Sequence, residues 1–410
     1  MLKIVFVTNE AAPYRVPVLN RVAAREGIHL QVIFCCSREP NRFWDLPPFE
    51  FDHVFLRDRY LTIRGRYIHY NPDIIPALSR FEPDIVVTDG YNPTHLFTFM
   101  YSLLKRKPYV VMTDGTVVSE QDISRAHRSV RRFVFRHADA FVAASIGGRQ
   151  LYENYGVSAE RCFQSCLCIN NDAFLAESEA VEKTFDFIFC GRIEKVKNPL
   201  FALDVASETA RRLNRKTRIL FVGSGNEEEA VRKAASSRSD LVDAEFNGFA
   251  AQGELPFLYH SARLFLFPTL WDPWGVVANE ACAAGLPVIV SPNAGAANEL
   301  ILNAENGFVC ELDLSLWVDK AVTLLTNDEL YSRYAKRSLS IVGKYTFDHA
   351  ASGLLDACLF AASKHDSLRH EIPAKPGQQS PTAPGSLVQY SGNRNGRTHN
   401  EPTAHVFPES

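Results

Sequence analysis

Two cations and two carboxylates carry the spacing of a site for an anionic, polyhydroxylated ligand. Arg192 and Lys197 lie in "GRIEKVKNP", directly after the apolar run "FDFIFC". Asp272 and Glu280 lie in "TLWDPWGVVANEACAAGLPVIV", directly after "RLFLFP". If both runs are parallel strands, ligands collect outside their carboxyl ends, where these four side chains stand. Asn198 and Pro199 read as the N-cap and first residue of a helix, which sets Lys197 at a helix mouth near Arg192. Cations beside unpaired helix amides suit a diphosphate. A solvated basic loop is the plainer reading of the same residues.

Glu280 raises a physical question. From Gly275 to Leu286 nearly every residue is small or apolar, so a helix starting near Gly275 should be buried. A buried carboxylate without a partner is costly. Helical side chains lean toward the N-terminus, so Glu280 can reach the helix mouth and accept two hydrogen bonds from a vicinal diol such as a ribose. Gly275 lets a ligand approach the backbone, and the first helical amides face that ligand. Asp272 then lies beside the group attached beyond the phosphates. A surface-helix glutamate is the alternative, disfavoured by the alanines around Glu280.

The elements that position these residues follow from the apolar runs. "KIVFVT", "LQVIFC", "DIVVTD", "YVVMTD" and "AFVAAS" fall in the first half; "FDFIFCG", "RILFVG", "RLFLFP" and "LPVIVS" fall in the second. Continuous rather than alternating runs suit parallel strands buried on both faces, and alternation with helical segments suggests doubly wound α/β domains. The expected organisation is an α/β chain of two facing Rossmann-like domains, at residues 1–170 and 184–345. A polar linker at 171–183 joins them. An apolar helix at 346–363 should follow, returning to the first domain, then a Pro/Gly/Ser/Asn-rich tail at 364–410 too poor in large apolar residues to fold.

With 410 residues, 46% hydrophobic and 22% charged, and a net charge of -3, the chain reads as globular, with no basic field for nucleic acid. Nine scattered cysteines, an odd number, argue for reduced thiols. The group "CFQSCLC" lacks the spacing of a zinc site. The N-terminal apolar run is too short for a signal peptide, and "HLFTFMYSLL" falls short of a bilayer span. The expected address is cytoplasmic.

Taken together, these stretches resemble the retaining GT-B glycosyltransferases of the "group 1" (family four) type. Those proteins place an Arg and a Lys five residues apart after the first strand of the C-terminal domain, here Arg192 and Lys197. They also carry an acidic-x7-Glu motif before a small-residue helix and "GxPVI", here Asp272, Glu280 and "ACAAGLPVIV". "FVGSGNEEEAV", "FNGFAAQGELPFLYHSA" and "NAGAANELILNAENGFV" add to a likeness that spans roughly residues 1–362. The resemblance implies a GT-B fold, two Rossmann-like domains with a cleft between them, and sugar transfer from a UDP- or GDP-sugar to a hydroxyl with retention. It implies that Arg192 and Lys197 bind the diphosphate, Glu280 the ribose, Gly275 and Val276 the phosphate through their amides, Phe249 the base, and Asp272 the donor sugar. No cofactor is expected, and no metal is required where two cations and a helix terminus neutralise the leaving group. The chain departs from the pattern at Asp272, where the family usually has glutamate, and in its first loop, "TNEAAPYRVP", which lacks glycine.

The N-terminal domain is expected to hold a glycan or lipid-linked acceptor from surface polysaccharide or glycoconjugate assembly. Asp114, after "YVVMT", is the expected acceptor-orienting residue, with Tyr14 and Arg15 as further acceptor-side positions; Asp89 reads equally as support for its turn. In "ISRAHRSVRRFVFRHADA", Arg125, Arg128, Arg132 and Arg136 share one helical face, while Ala126, Val130, Phe133 and Val134 fall on another. Such a helix fits either peripheral contact with an anionic membrane at its cytoplasmic side or ordinary packing. A nucleotide-sugar epimerase of the same architecture, or an inactive binding protein, is the alternative function. A nicotinamide dehydrogenase is disfavoured because the first strand lacks GxGxxG.

Overall fold

The computed structural model describes residues 1–40, 45–63, 66–120, 123–175 and 181–370. Runs of β-branched and aromatic residues form the strands, as a pleated surface favours. The first half contains β1 (Leu2–Thr8), α1 (Val16–Ala23), β2 (Ile28–Phe34), β3 (Asp52–Phe55), the hairpin β4 (Tyr60–Ile63) and β5 (Arg66–His69), and α2 (Ile74–Phe81). It continues with β6 (Ile85–Thr88), α3 (Pro93–Lys105), β7 (Tyr109–Thr113), α4 (Arg125–His137), β8 (Ala140–Ala143), α5 (Ile146–Asn154) and β9 (Cys162–Gln164). After α6 (Asn171–Leu175) come β10 (Phe185–Cys190), α7 (Pro199–Leu213), β11 (Thr217–Val222), α8 (Glu228–Ser236), β12 (Val242–Gly248), α9 (Leu255–His260) and β13 (Ala262–Phe267). The rest is α10 (Val276–Ala283), β14 (Val288–Val290), β15 (Gly307–Val309), α11 (Leu314–Thr326), α12 (Asp328–Val342) and α13 (Phe347–His370).

The strands make two parallel sheets, ordered β3-β2-β1-β6-β7-β8-β9 and β12-β11-β10-β13-β14-β15. Strand order reverses between β1 and β6 in the first sheet and between β10 and β13 in the second. A reversal of this kind leaves a crevice outside the strand ends because the flanking loops diverge. The loops carrying Lys197 and Asp272 follow β10 and β13, so both border the second crevice. The central strands match the apolar runs. The edge strands β3, β9, β12 and β15, and the β4–β5 hairpin, were not legible as such runs, because a half-exposed strand mixes in polar residues and β9 and β15 are only three residues long. β12, for example, alternates between buried or half-buried and exposed positions.

Helices α2, α3, α4 and α5 cover one face of the first sheet through a core that includes Val86, Phe99, Phe135 and Phe141. The other face packs α1 and the C-terminal α13, which contributes Ala350, Leu354, Ala357 and Ala361. A side chain at Gly353 would collide with the Gln164 carbonyl at the end of β9. The final helix thus lies against the N-terminal sheet, and small residues allow the approach. Residues 364–370, expected to begin a disordered tail, continue this helix; the remainder of that tail lies outside the described residues. A third core joins the halves, with Trp274, Ala278 and Ala281 meeting Ala144, Leu167 and the ring of Tyr14. The nine cysteines are free thiols.

Candidate functional site

In the C-terminal half, two loops are laced together at the crevice. A 3-10 turn, Lys195–Lys197, follows β10. Asn198 is not the side-chain cap its type suggests. It sits at φ 57° with no capping hydrogen bond from its side chain. The 3-10 turn has already closed, with the Asn198 amide donating to the Lys195 carbonyl at 3.1 Å, so the chain enters α7 through a left-handed residue, a conformation asparagine tolerates. The Val196 carbonyl accepts from the Leu270 amide at 2.8 Å and the Thr269 hydroxyl at 3.0 Å, which ties this turn to the loop after β13.

The lacing puts Lys197 directly on Asp272, an ion pair between two largely enclosed side chains. The other Asp272 oxygen accepts the Trp274 amide at 3.1 Å. Arg192, expected beside Lys197, is instead exposed and paired with Glu194 at 2.9 Å, because a neighbour two residues along the same loop is the nearest carboxylate. Gly275 has φ 93°, and a Cβ there would strike the Phe267 ring. Glycine is therefore demanded by the ring beneath it, whatever approaches from the other side. Gly275 immediately precedes α10, so the first amides of that helix, from Val276, lie at the same place as Asp272. Phe249 follows β12 and stands well exposed, like an open platform.

Glu280 has a partner. Its Oε2 accepts the hydroxyl of Tyr259 at 2.8 Å, and Tyr259 is fully buried on α9. Burial pushes the Glu280 carboxyl up to about 7, against the opposing pull of the tyrosine hydrogen bond. Asn279, the other polar residue of α10, had no expected role. It is wholly buried, accepts the Trp274 indole at 2.8 Å, and donates to the Leu167 carbonyl at 3.2 Å. It thereby links the helix, the Asp272 loop and the segment leaving the first sheet. A lone amide in a run of alanines was the available signal.

The two halves enclose a cavity of about 370 Å³, with Trp271, Asp272 and Gly295 on one wall and Thr116, Ile146 and Gln150 on the other. At its edge Glu299 accepts the Ile146 amide at 2.8 Å and the Gln164 side chain at 3.1 Å. Burial raises the Glu299 carboxyl to about 7.

On the N-terminal side, Asp114 is partly open and accepts from the buried Arg15 at 2.8 Å. Arg15 thereby holds Asp114 in place, two residues before Thr116 of the cavity lining, and the Tyr14 ring packs into the core shared by the halves. Asp89 accepts the Thr8 hydroxyl at 2.7 Å and faces the buried His95 at 3.4 Å. Asn92 contacts the His95 ring at 2.8 Å and donates to Asn9 at 2.6 Å. This network at the ends of β1 and β6 was invisible as a set, because its two groups, Thr8 with Asn9 and Asp89 with Asn92 and His95, lie 81 or more positions apart where they bond. In α4 the faces differ from the expected pattern. Val130, Val134 and Phe135 pack inward, together with Arg131, which pairs with Glu120 and lies over the Tyr91 ring. Ala126 and Phe133 face solvent.

Two parallel α/β sheets with a cleft between them, each with a strand-order reversal, constitute the GT-B architecture. Residues 170–340 match the model of the glycosyl transferases group 1 family. Over 125 residues the chain is 30% identical to glycogen synthase of Mycobacterium tuberculosis, covering 30% of each protein. It is 30% identical over 186 residues to D-inositol 3-phosphate glycosyltransferase of Frankia alni, covering 43% of this chain and 45% of that one. The chain thus spans less than half the length of these curated relatives. In three dimensions it is similar to the Anabaena protein Alr3699/HepE crystallised with UDP, with a TM-score of 0.64 at 16% identity over 90% of this chain and 100% of that one.

Proposed function

We propose that the protein is a retaining glycosyltransferase that moves a sugar from a nucleoside-diphosphate donor, UDP- or GDP-linked, to a hydroxyl of a glycan or lipid-linked acceptor. The observation that carries the reading is the convergence of Lys197, Asp272, the start of α10 and Glu280 at the crevice of a group 1 glycosyltransferase region. Solved relatives of the same fold hold UDP with glucose or UDP with GlcNAc, which supports a nucleotide-sugar donor here.

In this reading Glu280, steadied by Tyr259, accepts the ribose hydroxyls. Lys197, Arg192 after rotating from Glu194, and the α10 amides neutralise charge that grows on the departing diphosphate. Such stabilisation acts where charge develops and so lowers the barrier. Asp272 receives hydroxyls of the donor sugar while holding Lys197. The acceptor oxygen attacks the anomeric carbon as the carbon–phosphate-oxygen bond breaks, and the leaving diphosphate takes the acceptor proton. Asp114, oriented by Arg15, positions the acceptor from the N-terminal half.

The test is isothermal calorimetry against a panel of nucleotide sugars, followed by nucleoside diphosphate release with and without glycan and lipid acceptors. Binding of one donor, with release that depends on acceptor, is the expected result. No binding across the panel would overturn the reading, and interconversion of the bound sugar without transfer would favour an epimerase.

A further inference from the structure

Two hydrogen bonds pass directly from residues 1–164 to residues 184–345, and both end on the carboxyl group of Glu299. Its Oε2 accepts the Ile146 amide at 2.8 Å, and its Oε1 accepts the Gln164 side-chain amide at 3.1 Å. Ile146 is the first residue of α5, where a helix leaves amides without partners of its own. Ser145 caps one of them, accepting from Gly148 at 3.1 Å. Glu299 serves another from the opposite half, a place that suits it because a helix N-terminus attracts a carboxylate.

Each end of this contact is tied to a residue of the candidate site. On the N-terminal side, α5 starts hard against the loop after β7. A Cβ at Gly147 would lie 3.1 Å from the Thr116 methyl, and one at Gly148 3.1 Å from the Gly115 carbonyl oxygen. Asp114 immediately precedes Gly115 in that loop. On the C-terminal side, the loop carrying Glu299 is bonded to the Asp272 loop. The Gly295 amide donates to the Asp272 carbonyl at 2.9 Å, and the Ala296 amide to the Trp274 carbonyl at 3.0 Å. The Glu299 carbonyl accepts the Tyr345 hydroxyl at 3.3 Å, and the Tyr345 ring rests against Trp274 with centroids 5.7 Å apart. A short packed path therefore runs from Asp114 through α5 and Glu299 to Asp272. It follows the cavity of about 370 Å³, whose lining includes Thr116, Ile146, Asp272, Gly295 and Glu299.

We propose that Glu299 is a positioning residue: its carboxyl group clasps α5 to the Asp272 loop and so fixes the span between donor and acceptor across which the sugar moves. It acts on the reacting atoms through α5 and the loop after β7, not by contact. Enclosure between the halves raises the carboxyl to about 7 against the pull of both hydrogen bonds, so the clasp holds weakly enough to open for substrate exchange. Closed, it keeps water from the donor, which a transferase must do to avoid hydrolysis. The role in transfer rests on the transferase reading given above; the clasp itself does not.

Hydrogen exchange, followed by mass spectrometry, and X-ray scattering of the full chain read the clasp directly. In Glu299→Ala the segment holding the Ile146 amide should exchange about tenfold faster, and the radius of gyration should rise. Gln164→Ala leaves Glu299 and its loop intact and should give the same changes at about threefold. In the Glu299→Ala background it should add nothing, since Gln164 acts only through that carboxyl. With the donor identified in the nucleotide-sugar panel, Glu299→Ala should lower transfer about tenfold to a hundredfold and raise the share of donor lost to water. Donor affinity by calorimetry should stay at the wild-type value, which also shows that the variant folds. A merely structural residue would lower affinity and turnover together and leave the ratio of hydrolysis to transfer alone. That result, unchanged exchange and scattering in both variants, or an additive double variant would overturn the proposal. Absence of donor binding to the wild type would overturn the transferase reading and leave exchange and scattering to judge the clasp.

Discussion

The strand ends of the two sheets, on either side of the crevice, are held by different means. The C-terminal wall is made of backbone. Side chains at Gly223, Gly225 and Gly295 would strike the carbonyls of Gly191, Ile193 and Pro273, and one at Gly275 would strike the Phe267 ring. Loops are pressed flush there, and Lys197, Asp272 and Glu280 project from a surface with little room to move. The strand ends of the N-terminal sheet are tied by side chains. Its first loop has no glycine, and Arg15–Asp114 and the Thr8–Asp89–His95–Asn92–Asn9 chain hold the strand ends. A backbone-built wall suits a ligand part that is constant, such as a nucleoside diphosphate. A side-chain-built wall can be re-cut by substitution, as a variable acceptor demands.

The sharpest break in this comparison is expected from backbone crowding. Gly295→Val should cost more than about 4 kcal/mol or prevent folding, since the loops cannot separate without losing their hydrogen bonds. Ala12→Gly in the opposite loop should cost no more than about 1 kcal/mol; urea unfolding measures both. Next, Lys197→Ala should lower turnover about 10²- to 10³-fold with smaller loss of donor affinity, as removal of a transition-state charge does. Steady-state kinetics with saturating donor would expose an equal fall in both, which contradicts the role.

Glu280 sharpens the comparison through pH. Its carboxyl titrates near 7 in the folded chain against an ordinary value of 4.5. The folded state therefore binds the proton more tightly, and this group's contribution to stability declines as pH rises from about 4.5 to about 7. Donor binding should run the other way, strengthening as the pH rises through about 7, because a ribose diol donates to the carboxylate. Glu280→Gln should weaken donor binding about tenfold at pH 8 and remove its pH dependence; calorimetry across pH checks both. The smallest effect is expected at Arg15→Met, which frees Asp114. It should raise the acceptor KM several-fold, up to about tenfold, while leaving donor hydrolysis unchanged, and a changed donor KM would contradict the division of walls.

Much of the C-terminal wall could be read from sequence because its requirements are local. The glycines, the cations after β10 and the acid pair before and within α10 fall within short windows, and their spacing survives as geometry. The same window misled at Asn198, which took a left-handed bend rather than a side-chain cap. Arg192 pairs with Glu194 and Gly275 packs on the Phe267 ring, contacts the spacing did not announce. The N-terminal wall was less legible. Arg15 and Asp114 are 99 positions apart, and nothing in either segment names the other.

The sequence by itself determined the two-sheet α/β architecture, the place of the central strands, and the charged residues at their ends. Continuous apolar runs have few ways to be buried, and strand ends in such sheets lie at crevices. Only the tertiary structure decided which charges pair, that Tyr259 shelters Glu280, that Asn279 ties α10 to the first sheet, and which face of α4 turns inward. Those outcomes depend on which atoms lie within about 3 Å after packing, a distance that spacing along a chain does not encode.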